Sequence, residues 1–158
     1  MLMNLLLFIG AFGFMEFVAW SNHKYIMHGF LWSWHKDHHI NDQKRGEVNY
    51  LPNNGFEKND IFFLIYAIPA ILLMMFGFFF QINSFLAISF GITLYGLTYF
   101  TLHDVLIHHR FNISFLKENN NRFFKAVIKA HTAHHRPLNV IDFNNYGLLV
   151  FSIRYFKD

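Results

Sequence analysis

"HKYIMHGFLWSWHKDHH", residues 23 to 39, packs five histidines into one short stretch. The other six of the chain's eleven lie in "HDVLIHHR" (103–110) and "AHTAHH" (130–135). Two patterns recur. His35, His38 and His39 form H-x-x-H-H, and so do His131, His134 and His135. Each is preceded by H-x4-H: His23 with His28, and His103 with His108. A chain that gathers all its histidines this way is building something from imidazole.

The rest of the chain says where. Hydrophobic residues make up 54% and charged residues 15%, with a mean hydropathy of +0.24; a soluble domain carries about 25% charged residues. Three apolar segments, 2–20, 61–80 and 84–102, are each long enough to cross roughly 30 Å of hydrocarbon at ~1.5 Å per residue. Gln81–Asn83 is then a tight hairpin, and Pro69 is a candidate kink in the second span. The first segment lacks a positively charged start and a small-residue cleavage motif, so it reads as a retained span. The expected class is an all-α integral membrane protein, one domain over 1–158, with three spans. A fourth, re-entrant or surface-lying segment at Tyr146–Phe156 is the alternative; it is too short to span unaided.

Threading the chain brings both histidine zones, 23–39 and 103–135, to one membrane face. All thirteen Lys and Arg fall on that side, which the positive-inside rule makes cytoplasmic. The expected location is the inner cell membrane, multi-pass.

With no cysteine, disulfides, cysteine-ligated haem and iron–sulfur clusters are excluded. No G-x-G-x-x-G or P-loop is present, so the chain shows no nucleotide site of its own. The net charge of +3 is modest, and no nucleic-acid partner is expected.

On an α-helix, i, i+3 and i+4 share a face, so each H-x-x-H-H can aim imidazoles at a cation. H-x4-H is harder, because its rings diverge by about 140° on a regular helix. A π-bulge, or ligands serving two ions, resolves this. Ten histidines are too many for one ion, which takes about four to six ligands, and suit two. Imidazole accepts Zn, Cu, Fe or Ni; so many at a membrane face point to redox-active iron working with O2 on a lipid-phase substrate. The eleventh, His109, stands about 100° round from His108 and is expected outside the ligand set, at most a hydrogen-bonding neighbour.

Four groups are candidates for the surroundings of the site. Glu16 is the one charge within a span. It is placed either to accept from an imidazole N–H or to sit near the interface. Asp37 and Asp104 adjoin ligands and can orient rings or remain solvated. His109 is the fourth. Trp20, Trp32 and Trp34 suit an interfacial belt, and Asn59–Asp60 an N-cap for the second span.

"MEFVAWSNHKYIMHGFLWSWHKDHH" (15–39), "FEKNDIFFLIYA" (56–67), "YGLTYFTLHDVLIHHRF" (95–111) and "AHTAHH" resemble the bacterial beta-carotene hydroxylases of the wider membrane fatty-acid hydroxylase and sterol desaturase superfamily. "RPLNVIDFNN" (136–145) departs from that pattern, and the family often has glutamine where His109 stands. The resemblance implies a non-haem di-iron monooxygenase hydroxylating C3 of the beta-ionone rings, by way of beta-cryptoxanthin to zeaxanthin. It implies ten ligands: His23, His28, His35, His38, His39, His103, His108, His131, His134 and His135. The cofactors would be two iron ions with O2 as co-substrate. The substrate would be a carotenoid in the bilayer, and electrons would come from a ferredoxin-like or reductase partner. The alternatives are oxygenation of another lipid (fatty acid, sterol or ketocarotenoid) and non-catalytic metal binding.

Overall fold

The computed structural model describes residues 1–44, 56–110 and 121–157, and all regular structure among them is helical. Helix α1 (Leu2–Ser21) runs unbroken into a π-helical segment, π1 (Asn22–Phe30). The chain bends at Gly29 and enters α2 (Trp32–Lys44). A 3-10 turn, Lys58–Phe63, leads into α3 (Leu64–Phe79), which contains Pro69. Gln81, in the left-handed region at φ 56, reverses the chain into α4 (Asn83–Phe100). Helix α4 runs on into a second π segment, π2 (Thr101–Ile107). Then follow α5 (Arg122–His135), capped by the Asn121 side chain, and the short α6 (Val140–Phe143).

Among the described residues three helices are long and apolar enough to cross a bilayer: Leu2–Phe30, Lys58–Phe79 and Asn83–Ile107. They outrun the expected 2–20, 61–80 and 84–102 because π1, the 3-10 turn and π2 continue the same rods. Helix α4 is the centre of the bundle, packed against both α1 and α3. A Cβ at Gly91 would meet the Phe8 carbonyl oxygen at 2.5 Å and the Ala11 Cβ at 2.9 Å, so glycine is what lets α1 and α4 touch backbone to backbone. Met15, Ala19, Tyr66, Ala70, Ile92 and Tyr95 fill the seam. Leu2, Ile9, Phe14, Ile68, Met75 and Phe79 stay exposed, as a lipid-facing surface requires.

Tyr146–Phe156 makes no fourth span. Leu148 packs on Leu102, Leu106, Ile107 and Val127, and the segment closes with a 3-10 turn at Ile153–Phe156. Glu16 holds it. One carboxylate oxygen of Glu16 accepts the backbone N–H groups of Leu148, Leu149 and Val150 at 2.9, 2.9 and 3.0 Å. The other accepts the Tyr95 hydroxyl at 2.7 Å. A buried carboxylate is tolerable when so fully hydrogen-bonded. Of the two sequence expectations for Glu16, the imidazole acceptor is replaced by another role: its carboxylate clamps a loop.

Candidate metal centre

His23 and His28 lie in π1, and His103 lies in π2 with His108 at its C-cap; in a π-helix each turn holds an extra residue and hydrogen bonds run i to i+5. The N–H of His108 donates to the carbonyl of His103 at 2.9 Å, and Leu31 reaches Ile26 in the same way at 3.0 Å. The wider turn cancels most of the angular offset that separates i and i+5 on an α-helix. Ring centroids of His23 and His28 are 5.0 Å apart, and those of His103 and His108 are 4.4 Å apart.

Nine histidines then fall into two groups. His23, His28, His35, His39 and His134 form the first; His38, His103, His108 and His131 form the second. Within each group one nitrogen per ring lies within 4.8 Å of all the others. Nε2 atoms approach at 3.2 Å (His23–His35), 3.1 Å (His39–His35), 3.0 Å (His134–His28) and 3.0 Å (His108–His131).

The groups do not follow the repeat. From each H-x-x-H-H the first histidine stays with the H-x4-H of its own half, while the middle one crosses to the other group. His38 joins His103 and His108, and His134 joins His23 and His28. The shared-face expectation for i, i+3 and i+4 needs correcting here. Positions i and i+4 differ by about 40°, but i+3 and i+4 differ by about 100°, too far to aim at one ion. His135 sits at the border. Its ring is 4.6 Å from His131 and 5.0 Å from both His38 and His108, and it stacks on His39 at 4.0 Å. Its buried Nε2 meets no hydrogen-bond partner.

Around both groups the outward nitrogen, Nδ1, is held. His23 and His134 donate to the backbone carbonyls of Tyr146 (3.0 Å) and Phe143 (2.8 Å). His35 donates to Asn59 Oδ1 (2.7 Å). His38 meets Glu57 (3.3 Å), His103 meets Asp104 (3.4 Å) and His108 meets Asp42 (3.0 Å). The other Asp42 oxygen lies 3.5 Å from His135 Nδ1. Asn59 is thus a ring partner and no cap. Glu57 stands at the N-cap of the 3-10 turn, closed by Asp60 in a reciprocal capping box. Asp37 is exposed. His109 is exposed too, at φ 48, and lies outside both groups. Trp32, expected in an interfacial belt, also packs on His28 and His39, at 5.0 and 5.4 Å.

Burial keeps the rings neutral. It is the largest cause lowering His35 to about 3, His39 to about 2 and His134 to about 4, from an ordinary 6.5, and neighbouring histidines add to it. His38, His131 and His135 are held well below the ordinary value for the same reason. Neutral imidazole is the form that binds metal. His38 Nε2 is buried without a hydrogen-bond partner, beside the second group. Such an orphan in a cluster of neutral donors is what a missing cation explains, so the residues fit a metal at each position.

Residues 8–155 match the family model described as fatty acid hydroxylase. The chain belongs to the fatty acid hydroxylase family. It is 34% identical over 133 residues to the beta-carotene hydroxylase of a Paracoccus species, covering 84% of this chain and 74% of that protein. It is 36% identical over 136 residues to that of Pseudescherichia vulneris, covering 85% and 69%. With the chloroplastic beta-carotene 3-hydroxylase of Gentiana lutea it shares 37% over 131 residues, covering 80% of this chain and 37% of that protein. No solved structure matches it.

In this member of the family a cavity of about 530 Å³ reaches the second group at His103. Its wall includes Phe62, Tyr66, Tyr99 and Phe100, and Tyr99 lies nearly parallel to the His103 ring at 4.9 Å. Phe63, Leu64 and Phe100 line the cavity and are also exposed, so apolar side chains border it at the surface. At the polar end Arg110 grips Asp60 (2.9 Å) and Asp104 (3.1 Å). The sequence reading missed Glu57, Asn59 and Asp42 as ring partners. They stand among other polar residues, in "NDQK" and "EKND", and the pairings span 19, 24 and 66 residues, so no local pattern marks them.

Proposed function

We propose that the protein hydroxylates the terminal beta-ionone rings of beta-carotene at C3, passing through beta-cryptoxanthin to zeaxanthin, with two iron ions and O2. The single observation that carries this is the cavity, bordered by exposed apolar side chains, that ends on His103. A hydrocarbon dissolved in the bilayer can place one ring against the second histidine group while its chain stays in lipid. The names of the relatives fit the same chemistry.

Bound iron supplies the activation of O2 that an unactivated C–H bond requires and no side chain provides. The chain's own residues do the rest. His23, His28, His35, His39 and His134 would hold one ion; His38, His103, His108, His131 and His135 would hold the other. With bonds of ~2.1 Å, donors at right angles stand about 3.0 Å apart and tetrahedral ones about 3.4 Å. The observed separations and the fivefold donor set favour an ion of five or six ligands over structural zinc. Nδ1–H stays on each oriented ring, donated to its outer oxygen, which leaves Nε2 for the metal. Phe62, Tyr66, Tyr99 and Phe100 exclude water from the ring's position. Electrons are supplied by a ferredoxin-like or reductase partner reaching the polar face.

That face is cytoplasmic on the placement of Lys and Arg. A reporter fused after the C-terminus should read as cytoplasmic and one at Gln81 as external. The deciding experiment is expression in cells that accumulate beta-carotene, with pigment analysis. Rings hydroxylated at C3 support the reading. Unchanged carotene beside a folded, iron-loaded protein overturns it.

A further inference from the structure

The two histidine groups are alike in donors and unlike in what stands behind them. In the first group, three rings give their outer N–H to uncharged oxygens: the carbonyls of Tyr146 and Phe143 and the amide of Asn59. In the second group, three rings give theirs to carboxylates: Glu57, Asp104 and Asp42. Two of these carboxylates belong to one circuit. Glu57 N–H donates to Asp60 (2.9 Å), Asp60 binds Arg110, and Arg110 binds Asp104. The circuit begins at His38 and ends at His103, whose rings stack at 5.1 Å, and it runs along the cavity.

We infer that the two metal positions are inequivalent: the carboxylate-backed group at the cavity binds its ion more tightly and favours the higher oxidation state, while the neutral-backed group is the weaker position and holds the added electron. The inference rests on both groups being metal sites. Its physical basis is charge. A carboxylate accepting an imidazole N–H pushes electron density onto the ring and makes it a better ligand. It also leaves negative charge near the ion in a buried, low-dielectric place, where such interactions are strongest. A trication gains more from that charge than a dication. A carbonyl or amide dipole gives less of both.

The consequence is a division of labour. The position that touches the cavity is biased toward the oxidised ion. The position away from it is the one a single electron reduces first.

The test begins with the metal-free full-length protein in detergent, titrated with cobalt(II) and followed by its ligand-field absorption. Two classes of site are expected. His131→Ala should remove the tighter class and His35→Ala the weaker. Glu57→Gln, which keeps size and hydrogen bond but removes charge, should weaken the tighter class about 10–100-fold. Asn59→Asp, which adds charge behind His35, should tighten the weaker class. A second arm loads iron-57 and reduces the ferric protein by one electron per chain, read by Mössbauer spectroscopy. The ferrous signal should be a single species, kept in His131→Ala and replaced in His35→Ala by a different ferrous species, since the electron must then enter the second group at a lower potential. A tenfold loss of preference for the oxidised ion in Glu57→Gln corresponds to about 59 mV. Equal sites in the wild type, Glu57→Gln and Asn59→Asp acting on one and the same class, or a wild-type electron residing in the second group would each overturn the inference. Cobalt binding needs no turnover, so a protein that hydroxylates no carotene still decides the question.

Discussion

His38 and His134, the middle histidines of two identical H-x-x-H-H motifs, have exchanged places. His134 Nε2 lies 3.0 Å from His28 Nε2, in the group built by the other half of the chain. His38 packs on His103 and His108, at 5.1 and 4.3 Å between ring centroids. Each metal position therefore needs both halves folded together, and neither repeat can complete a site alone.

This exchange is testable by additivity. Residues serving one site fail to add when both are removed, while residues at separate sites add. His134→Ala with His35→Ala should lose about the same metal as either single variant, and His134→Ala with His131→Ala should lose both ions. Metal analysis of the purified proteins decides it. The reverse pattern would return each motif to its own half.

His108 and His109 are neighbours with different fates. His108 is buried, tied to Asp42 and 3.0 Å from His131; His109 is exposed. His108→Ala should abolish hydroxylation and lower metal content. His109→Gln should keep the metal and most of the activity. Equal loss of metal in the two variants would place His109 among the ligands.

A Cβ at Gly147 would meet the Val150 carbonyl oxygen at 2.2 Å and Glu16 Oε1 at 3.0 Å. Gly147→Ala should therefore force the loop off Glu16. Glu16→Ala should leave three backbone N–H groups and the Tyr95 hydroxyl without their acceptor, at roughly 1–3 kcal/mol for each group that stays buried and unmet. Both variants should lower the thermal midpoint in detergent. Both should also loosen metal binding, because Tyr146 in the same loop orients His23. An unchanged midpoint in Gly147→Ala would mean that the loop does not need the clamp.

The metal-free protein should lose stability in acid. Its buried histidines have folded values lowered to about 3 for His35, about 2 for His39 and about 4 for His134, against 6.5 unfolded. Above pH 6.5 both states are neutral and the effect is absent. Below it the unfolded chain takes up protons that the folded one refuses, so stability falls as pH drops from 6.5 toward 4. Bound metal should delay the loss, since protons then compete with the ion. Thermal midpoints of metal-free and metal-loaded protein between pH 8 and 4.5 measure this; a flat profile without metal would contradict it.

The sequence by itself located three apolar segments long enough to span a bilayer and predicted that the two histidine zones meet. Hydrocarbon thickness admits only long apolar helices, and the hairpin at Gln81 puts two of them, an even number, between the two zones, which returns the chain to the same end. It also posed the H-x4-H problem and named the π-turn as one solution, because helix periodicity is local. Tertiary structure alone decided the rest. Whether His38 serves its own half or the other depends on which element stands about 100° round from His39, and π2, with His103 and the capping His108, stands there only once the bundle closes. Glu57, Asn59 and Asp42 became ring partners, and Glu16 a loop clamp, through contacts between residues far apart in the chain. Burial selects such contacts, and no local pattern encodes them.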